Sequence, residues 1–387
     1  MTMHLPNYKD GSIVNLMSSI MSAYDERSPY RPLRKFDTDP LRNSTNIVLF
    51  VIDGLGYEFL IKHGAGSFLH KHMHDKITSV FPSTTATGVT TFVTGLAPQQ
   101  HAITGWFMFL KELGIVVRIL PFNTRCGNFP LSEINIDPSS ILGNQSLSAR
   151  IKAETFYMVP ANLYESDYTI ATSVSAKRVY FDSLQQCFDK LTKIINSTSD
   201  QKFIYVYWAE FDGFCHEFGT ESAEARAHFK ELDTNLALLC NTLKHSKATL
   251  MFTSDHGLVD SSEAEQIKLR DHPNLAQTLT LPLCGEPRVA YCYVHPSEKK
   301  VFEGYVTKKM SEYCTMHSAR ELIQGNFFGL YEPHDKLCDR IGDYALIMKN
   351  NYIIKDTVLG ETEHFLKANH GGVSKQEMFV PFITVTP

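Results

Sequence analysis

A doubly wound α/β fold, with a mostly parallel central sheet and helices on both faces, is what this sequence predicts. Three segments carry the prediction. NIVLFVID (46–53), KFIYVYWAEFD (202–212) and ATLMFTSDHG (248–257) are each a β-rich run that reaches an acid. Continuous apolar runs of this length mark strands buried on both faces, as parallel strands are. Helical patterns lie between them, for example at 182–196 and 222–245. Strand, acid-bearing turn, helix, repeated, is the grammar of a doubly wound sheet. Ligands of such sheets collect beyond the carboxyl ends of the strands. Asp53, Asp212 and Asp255 all fall at that edge.

The remaining elements follow in order. Residues 1–44 read as a leader, one helix and then a polar, Pro-containing linker. Ile13, Leu16, Met17, Ile20 and Met21 share one helical face, which predicts an amphipathic helix packed on the body. Lys9 beside Asp10 removes the net positive start that a secretion signal needs. The main domain is expected over 45–387, with inserted cap segments at about 105–200 and 260–365. In HKHMH (70–74), histidines two apart do not share a helical face and no strand-edge acid accompanies them, so a solvated surface cluster is expected. KITSV (76–80) is strand-like, and a helix should open after Pro82. WFMFLKELGIVVRILPF (106–122) predicts a hairpin turning near Glu112–Gly114. RVAYCYV (288–294) and ALIMKNNYII (345–354) read as strands, with a helix from about 297. Asp271–His272 and His334–Asp335 each adjoin a proline, and loop or cap roles are expected for them.

The 387 residues suit one large domain with insertions, or two domains. With 20% charged residues and a net charge of −5, nothing marks a nucleic-acid polymer as partner. No apolar run is long enough to span a bilayer, so no membrane association is expected. The eight cysteines are scattered without a C-x-x-C pair. Together with the N-terminus, that pattern predicts reduced thiols and a cytoplasmic protein.

The chemistry-bearing residues cluster after the strands. Asp53 ends the first, and Asp212 follows a later one with His216 four residues on in DGFCH. Asp255 and His256 are adjacent in SDHG, and His370 sits in NHGG. Carboxylate oxygen and imidazole nitrogen suit Zn²⁺ first, and also Mn²⁺ or Fe. Six such donors can serve two divalent ions, three each, with positions left open for substrate. The stretch SVFPSTTATGVTTFVTGL (79–96) adds six threonines: Thr84, Thr85, Thr87, Thr90, Thr91 and Thr94. A helix N-terminus there would present free N–H groups and positive dipole to a phosphate, and a hydroxyl at that point is a candidate nucleophile.

In these motifs the sequence resembles the type I phosphodiesterase/nucleotide pyrophosphatase branch of the alkaline phosphatase superfamily. FPSTTATGVTTFVTGLAPQQHAITG is similar to that branch's nucleophile segment, and the order acid-ended strand, threonine segment, D-x-x-x-H, S-D-H-G and late H-G agrees from about residue 45 to the end. The resemblance implies an alkaline-phosphatase-like catalytic domain acting on a small phosphodiester or nucleotide. It implies Thr85 as nucleophile, passing through a phosphothreonine. It implies one metal site of Asp53, Asp255 and His256 with Thr85 on the same ion, and another of Asp212, His216 and His370. Such a pair of ions clamps the attacking and leaving oxygens in line.

One departure from the family pattern is Gly88, three residues past Thr85, where an Asn able to donate to a phosphoryl oxygen is expected. A sulfatase would need a C/S-x-P-x-R nucleophile setting, which is absent. A phosphomonoesterase would be expected to hold the terminal phosphate with an Arg close to its nucleophile, and no Arg lies in the threonine segment. Phosphodiesters and pyrophosphates therefore fit better, with a phosphomonoesterase or a non-catalytic metal or nucleotide binder as alternatives. Tyr207, Trp208, Phe211 and Phe214 surround Asp212 in sequence and are expected to pack, with stacking on a nucleobase as a further role; Trp106 and Phe107 are candidates for a pocket wall.

Overall fold

The three acid-bearing runs form adjacent strands at the centre of a seven-stranded sheet in the computed structural model, which describes residues 2–143, 146–198 and 200–387. Asn46–Ile52 lies between Lys202–Trp208 and Ala248–Thr253 and is parallel to both. Glu154–Pro160 and Lys177–Phe181 extend one side in the same direction. On the other side Phe379–Val385 inserts antiparallel between Ala248–Thr253 and Met73–Thr78. The sheet is thus mostly parallel, as expected.

Every residue of Asn46–Ile52 is buried. Ile47, Leu49 and Val51 enter one apolar cluster, and Val48, Phe50 and Ile52 enter the cluster on the opposite face. Period-two alternation distributes the side chains, but both faces are covered, so the run reads as uniformly apolar. The second face is covered by the helices Leu184–Ile195 and Ala223–Thr242. Ser183 and Ser222 cap them, accepting from the N–H groups of Gln186 and Ala225.

The N-terminal helix, Ile13–Ala23, departs from expectation: it is buried nearly all round rather than on one face, with only Ser22 outside the interior. Its polar side is covered by the chain that follows. Asn15 Nδ2 donates to Arg31 O at 2.8 Å, Ser18 Oγ to Tyr30 O, and Leu33 N to Ser19 Oγ at 2.9 Å. Satisfied serines and asparagine are cheap to bury, so this helix joins the same core as the threonine helix.

The inserted segments merge into a second, antiparallel seven-stranded sheet. The hairpin Phe107–Leu110 and Ile115–Arg118 joins the strand Cys284–Glu286 through a pairing of Phe107 with Gly285. Val289–Cys292, Tyr344–Met348 and Cys314–Ser318 complete the other side. Residues 154–181, inside the first expected excursion, return to the central sheet. The run 345–354 breaks in two, and Ile353–Lys355 pairs with Gln266–Lys268. HKHMH straddles the end of the helix Phe68–Lys71 and the start of Met73–Thr78, with His72 and His74 exposed.

A buried ion pair joins the cap sheet to the C-terminal segment. Arg288 and Glu377 are both fully buried and make two parallel bonds, Nε to Oε1 at 3.0 Å and Nη2 to Oε2 at 2.9 Å. Glu377 also accepts from Gly372 N at 2.8 Å, two residues beyond His370. Burial pushes the Glu377 carboxyl up, but Arg288 outweighs it and holds the group below its ordinary range. The sign follows: this stabilisation is complete above the unfolded carboxyl's titration and is lost as pH falls through the lower native value. Glu377→Gln strands a buried guanidinium and should cost about 3–5 kcal/mol in urea unfolding. The double variant Arg288→Met, Glu377→Leu should cost less than either single change; equal or additive losses would contradict this.

Candidate active site

The threonine helix spans Thr85–Thr94 and opens from Thr84, whose backbone is extended. Five of the six hydroxyls are buried and engaged. Thr84 does not cap the helix; its Oγ1 donates instead to Glu286 Oε1 at 2.8 Å. Thr87 Oγ1 donates to Thr84 O at 2.9 Å, Thr90 to Ala86 O and Thr94 to Thr90 O at 2.6 Å each. Thr91 Oγ1 meets His101 Nε2 at 3.3 Å. Thr85 alone of the six keeps solvent access, and it lines the main cleft. Its Oγ1 lies 3.1 Å from His256 Nε2.

The strand register decides how the acids meet. Val51 pairs with Thr253, so Asp53 and Asp255 emerge level with each other at the strand ends. Asp212 is the third residue of the helix Glu210–Phe218, not a strand terminus, and His216 lies one turn further on the same helix. His370 follows the short strand Ala368–Asn369, and its loop is laced to the threonine segment by a bridge between Ser83 and Gly371.

Two groups result, Asp53, Asp255, His256 and Asp212, His216, His370, each with its ligating atoms within 4.8 Å of one another. In the first, His256 Nε2 is 3.2 Å from Asp53 Oδ1 and 3.6 Å from Asp255 Oδ2. In the second, His216 Nε2 is 3.0 Å from Asp212 Oδ2. The rings of His256 and His370 stack at 3.9 Å, so the groups adjoin. Backbone carbonyls fix two tautomers. His256 Nδ1 donates to Gly257 O at 3.1 Å and His216 Nδ1 to Ala368 O at 2.8 Å, which turns each Nε2 toward its aspartates as the nitrogen that a cation would displace a proton from or bind.

The aspartates repeat one pattern. Asp53 Oδ2 accepts from the Tyr207 hydroxyl while Oδ1 has no partner. Asp255 Oδ1 accepts from Gly54 N and His256 N while Oδ2 has none. Asp212 Oδ2 faces His216 while Oδ1 has none, and His370 Nδ1 is also buried without a partner. Buried lone pairs left bare in two tight groups fit cations.

Electrostatics agrees. Burial, then Asp212, pushes the Asp53 carboxyl well above its ordinary range, and burial, then Asp53, does the same to Asp255. Burial also raises Asp212, but His216 outweighs it and holds that carboxyl low. Burial lowers His216, but Asp212 lifts it to about 9. Burial, reinforced by His256, depresses His370. The site cannot keep three carboxylates ionised without added positive charge.

The cleft encloses about 910 Å³ between the two sheets. Trp106, Phe107 and Tyr207 line it; Trp208 instead stacks on Phe181 and His228, and Phe214 on His228. His272 bonds Tyr305, and His334 Nδ1 accepts from Lys336 N, as loop and cap residues do. Gly88, which stands where the family pattern has an Asn, lies against the Asp255 strand end. A Cβ on Gly88 would lie 2.6 Å from Asp255 Cβ, so position 88 points at the strand end and must be small. Glu286 escaped the sequence reading. It is 7% exposed, lines the cleft and accepts from Thr84 Oγ1 and from Trp106 N at 2.6 Å. Nothing local in C-G-E distinguishes it.

Residues 47–373 match the family model for type I phosphodiesterase/nucleotide pyrophosphatase. The chain belongs to that family. It is 24% identical over 246 residues to ectonucleotide pyrophosphatase/phosphodiesterase family member 5 of Homo sapiens, covering 59% of this chain and 49% of that protein. It is 24% identical over 248 residues to bis(5'-adenosyl)-triphosphatase enpp4 of Xenopus laevis, covering 60% and 52%. The chain thus spans about half the length of these curated relatives. Murine ectonucleotide pyrophosphatase/phosphodiesterase 5 shares the fold, with a TM-score of 0.65 at 20% identity over 88% of each chain. So does phosphonoacetate hydrolase from Sinorhizobium meliloti 1021, with a TM-score of 0.60 at 17% identity over 87% of this chain and 89% of that one.

These relatives overturn the cytoplasmic expectation, since ectonucleotide pyrophosphatases are by name enzymes of the cell exterior. The two signals behind that expectation were structural. The N-terminal helix is core, and eight free cysteines, six of them buried, report packing and not compartment. Among the described residues, no helix is long and apolar enough to cross a membrane.

Elemental analysis of the purified protein should find about two divalent ions per chain. Chelation should lower the thermal midpoint, because ions that bind only the native state stabilise it. Asp255→Asn should reduce the metal content; full metal content in that variant would contradict the grouping.

Proposed function

We propose that this protein is a metal-dependent hydrolase of phosphodiester or pyrophosphate bonds in nucleotides or related small molecules, working through a phosphothreonine at Thr85. The observation that carries the reading is the placement of the Thr85 hydroxyl. It is the one of six that keeps solvent access, in the cleft and 3.1 Å from His256 Nε2 of the first Asp/His group. In this reading Asp53, Asp255 and His256, with Thr85, hold one ion, and Asp212, His216 and His370 hold the other. Zn²⁺ suits the mixed nitrogen and oxygen donors best. When bound, the ions supply Lewis-acid charge to the reacting oxygens.

The chain's own residues do the rest. Thr85 Oγ attacks phosphorus, and the P–O bond to the leaving alcohol or nucleotide breaks. Water then cleaves the phosphothreonine, which restores the hydroxyl and releases a phosphate monoester. The first N–H groups of the threonine helix, which lack partners within the helix, favour the phosphate's negative charge. Tyr207 holds Asp53, and the Gly257 and Ala368 carbonyls hold His256 and His216, so the donors are oriented before substrate arrives. Murine ectonucleotide pyrophosphatase/phosphodiesterase 5 has been captured with AMP in an inactive threonine-to-alanine form, which supports a nucleotide substrate and a threonine nucleophile here.

Thr85→Ala should lower kcat on bis-p-nitrophenyl phosphate by roughly 10³-fold or more. Thr87→Ala should keep most turnover and lose about 1 kcal/mol of stability. Metal content is measured on each variant, so that a lost ion is not mistaken for a lost nucleophile. Wild-type turnover in Thr85→Ala, with Thr84→Ala dead, would move the nucleophile to the neighbour.

A further inference from the structure

The cap sheet delivers one acid to the nucleophile's doorstep. Glu286 ends the strand Cys284–Glu286, and its Oε1 takes both the Thr84 hydroxyl at 2.8 Å and the Trp106 N–H at 2.6 Å. The side chain is clamped: a Cβ on Gly371, next to His370, would lie 2.8 Å from Glu286 Cβ. It therefore stands fixed between the threonine helix and the His370 loop. Both hydrogen bonds fall on one oxygen, and the residue lines the same cleft as Thr85; burial pushes its carboxyl up to about 7, so at pH 8 the group carries its charge.

The cationic side chains of the cleft are turned to its walls. Arg125 Nε is paired with Glu361 Oε1 at 3.0 Å, Arg118 Nε donates to Asn123 Oδ1 at 2.8 Å, and Lys355 Nζ donates to His364 O at 2.8 Å. Where a phosphomonoesterase would need a guanidinium near its nucleophile, this chain presents a carboxylate. A terminal phosphate carries one more negative charge than a phosphodiester, and that extra charge meets Glu286.

We propose that Glu286 is a specificity-determining residue that admits a monoanionic phosphodiester at Thr85 and disfavours a dianionic terminal phosphate. The inference rests on the reading of Thr85 as the nucleophile at phosphorus. The same group thus ties the cap to the threonine helix and filters charge.

Glu286→Gln tests it, since the amide oxygen still accepts from Thr84 and Trp106 while the charge is gone. Two measurements are made at pH 8 on metal-loaded protein. The first is kcat/KM for bis-p-nitrophenyl phosphate and p-nitrophenyl phosphate. The second is calorimetric affinity for inorganic phosphate and dimethyl phosphate in a Thr85→Ala background. The diester-to-monoester ratio should fall by about tenfold or more through a gain on the monoester, and inorganic phosphate should bind tighter by a similar factor while dimethyl phosphate changes little. Glu286→Met, uncharged and of similar reach, should shift the ratio the same way. An unchanged ratio and unchanged phosphate affinity at full metal content would overturn the role of Glu286. A wild-type protein that hydrolyses neither ester would sink the hydrolase reading instead, and the phosphate affinities would still decide Glu286.

Discussion

Three carboxylates buried at one edge of a sheet set the terms for everything around them. Asp53, Asp212 and Asp255 are each nearly inaccessible, and each has one oxygen tied to the protein and one left bare. Removing a carboxylate from water costs several kcal/mol unless something positive or hydrogen-donating compensates it. The histidines alone do not suffice, because His370 is itself held neutral by burial and by His256. The deficit of positive charge is the reason the floor of the cleft suits cations. It also explains the care taken with orientation, from the Tyr207 hydroxyl on Asp53 to the carbonyls that set two tautomers.

That floor is built by the continuous central sheet, and its roof is built from segments distant in sequence. The central strands pair in register over their full length and bury both faces. The cap sheet is assembled from segments far apart in the chain, joined at a single pairing of Phe107 with Gly285. Two polar ties hold it over the site. Arg288 and Glu377 link it to the segment that carries His370, and Glu286 links it to the start of the threonine helix. Both ties are buried charges that stay put only when fully bonded, so the cap's position is coupled to the order of the site beneath it.

The threonine segment shows how one helix can pack in a core and still present a hydroxyl to a cleft. Four hydroxyls are consumed by the helix's own carbonyls or by neighbours, which lets a polar sequence be buried. Thr84 is spent on the cap. Gly88 lets the helix approach the Asp255 strand end closely enough for Thr85 to reach His256.

What the sequence alone determined was the part governed by local periodicity. Runs buried on both faces are uniformly apolar, so the three central strands and their acids were legible, and D-x-x-x-H was legible because a helix brings residues four apart together. The six ligating candidates followed from their places at and after these strands, and Thr85 from the resemblance of its segment to the family's nucleophile segment. Other features depended on contacts distant in sequence. The N-terminal helix looked amphipathic because its serines are satisfied by residues 30–33, which no helical period reveals. Asp212 moved from strand end to helix because the strand stops at Trp208. Parts of the two excursions fused into one sheet while residues 154–181 returned to the central one, through packing alone. Glu286 acquired its place from a hydrogen bond spanning 202 residues of chain. Local pattern reports which groups a segment offers; only the tertiary structure decides which of them share a volume of space, because burial and electrostatic cost are set by neighbours that the chain brings from afar.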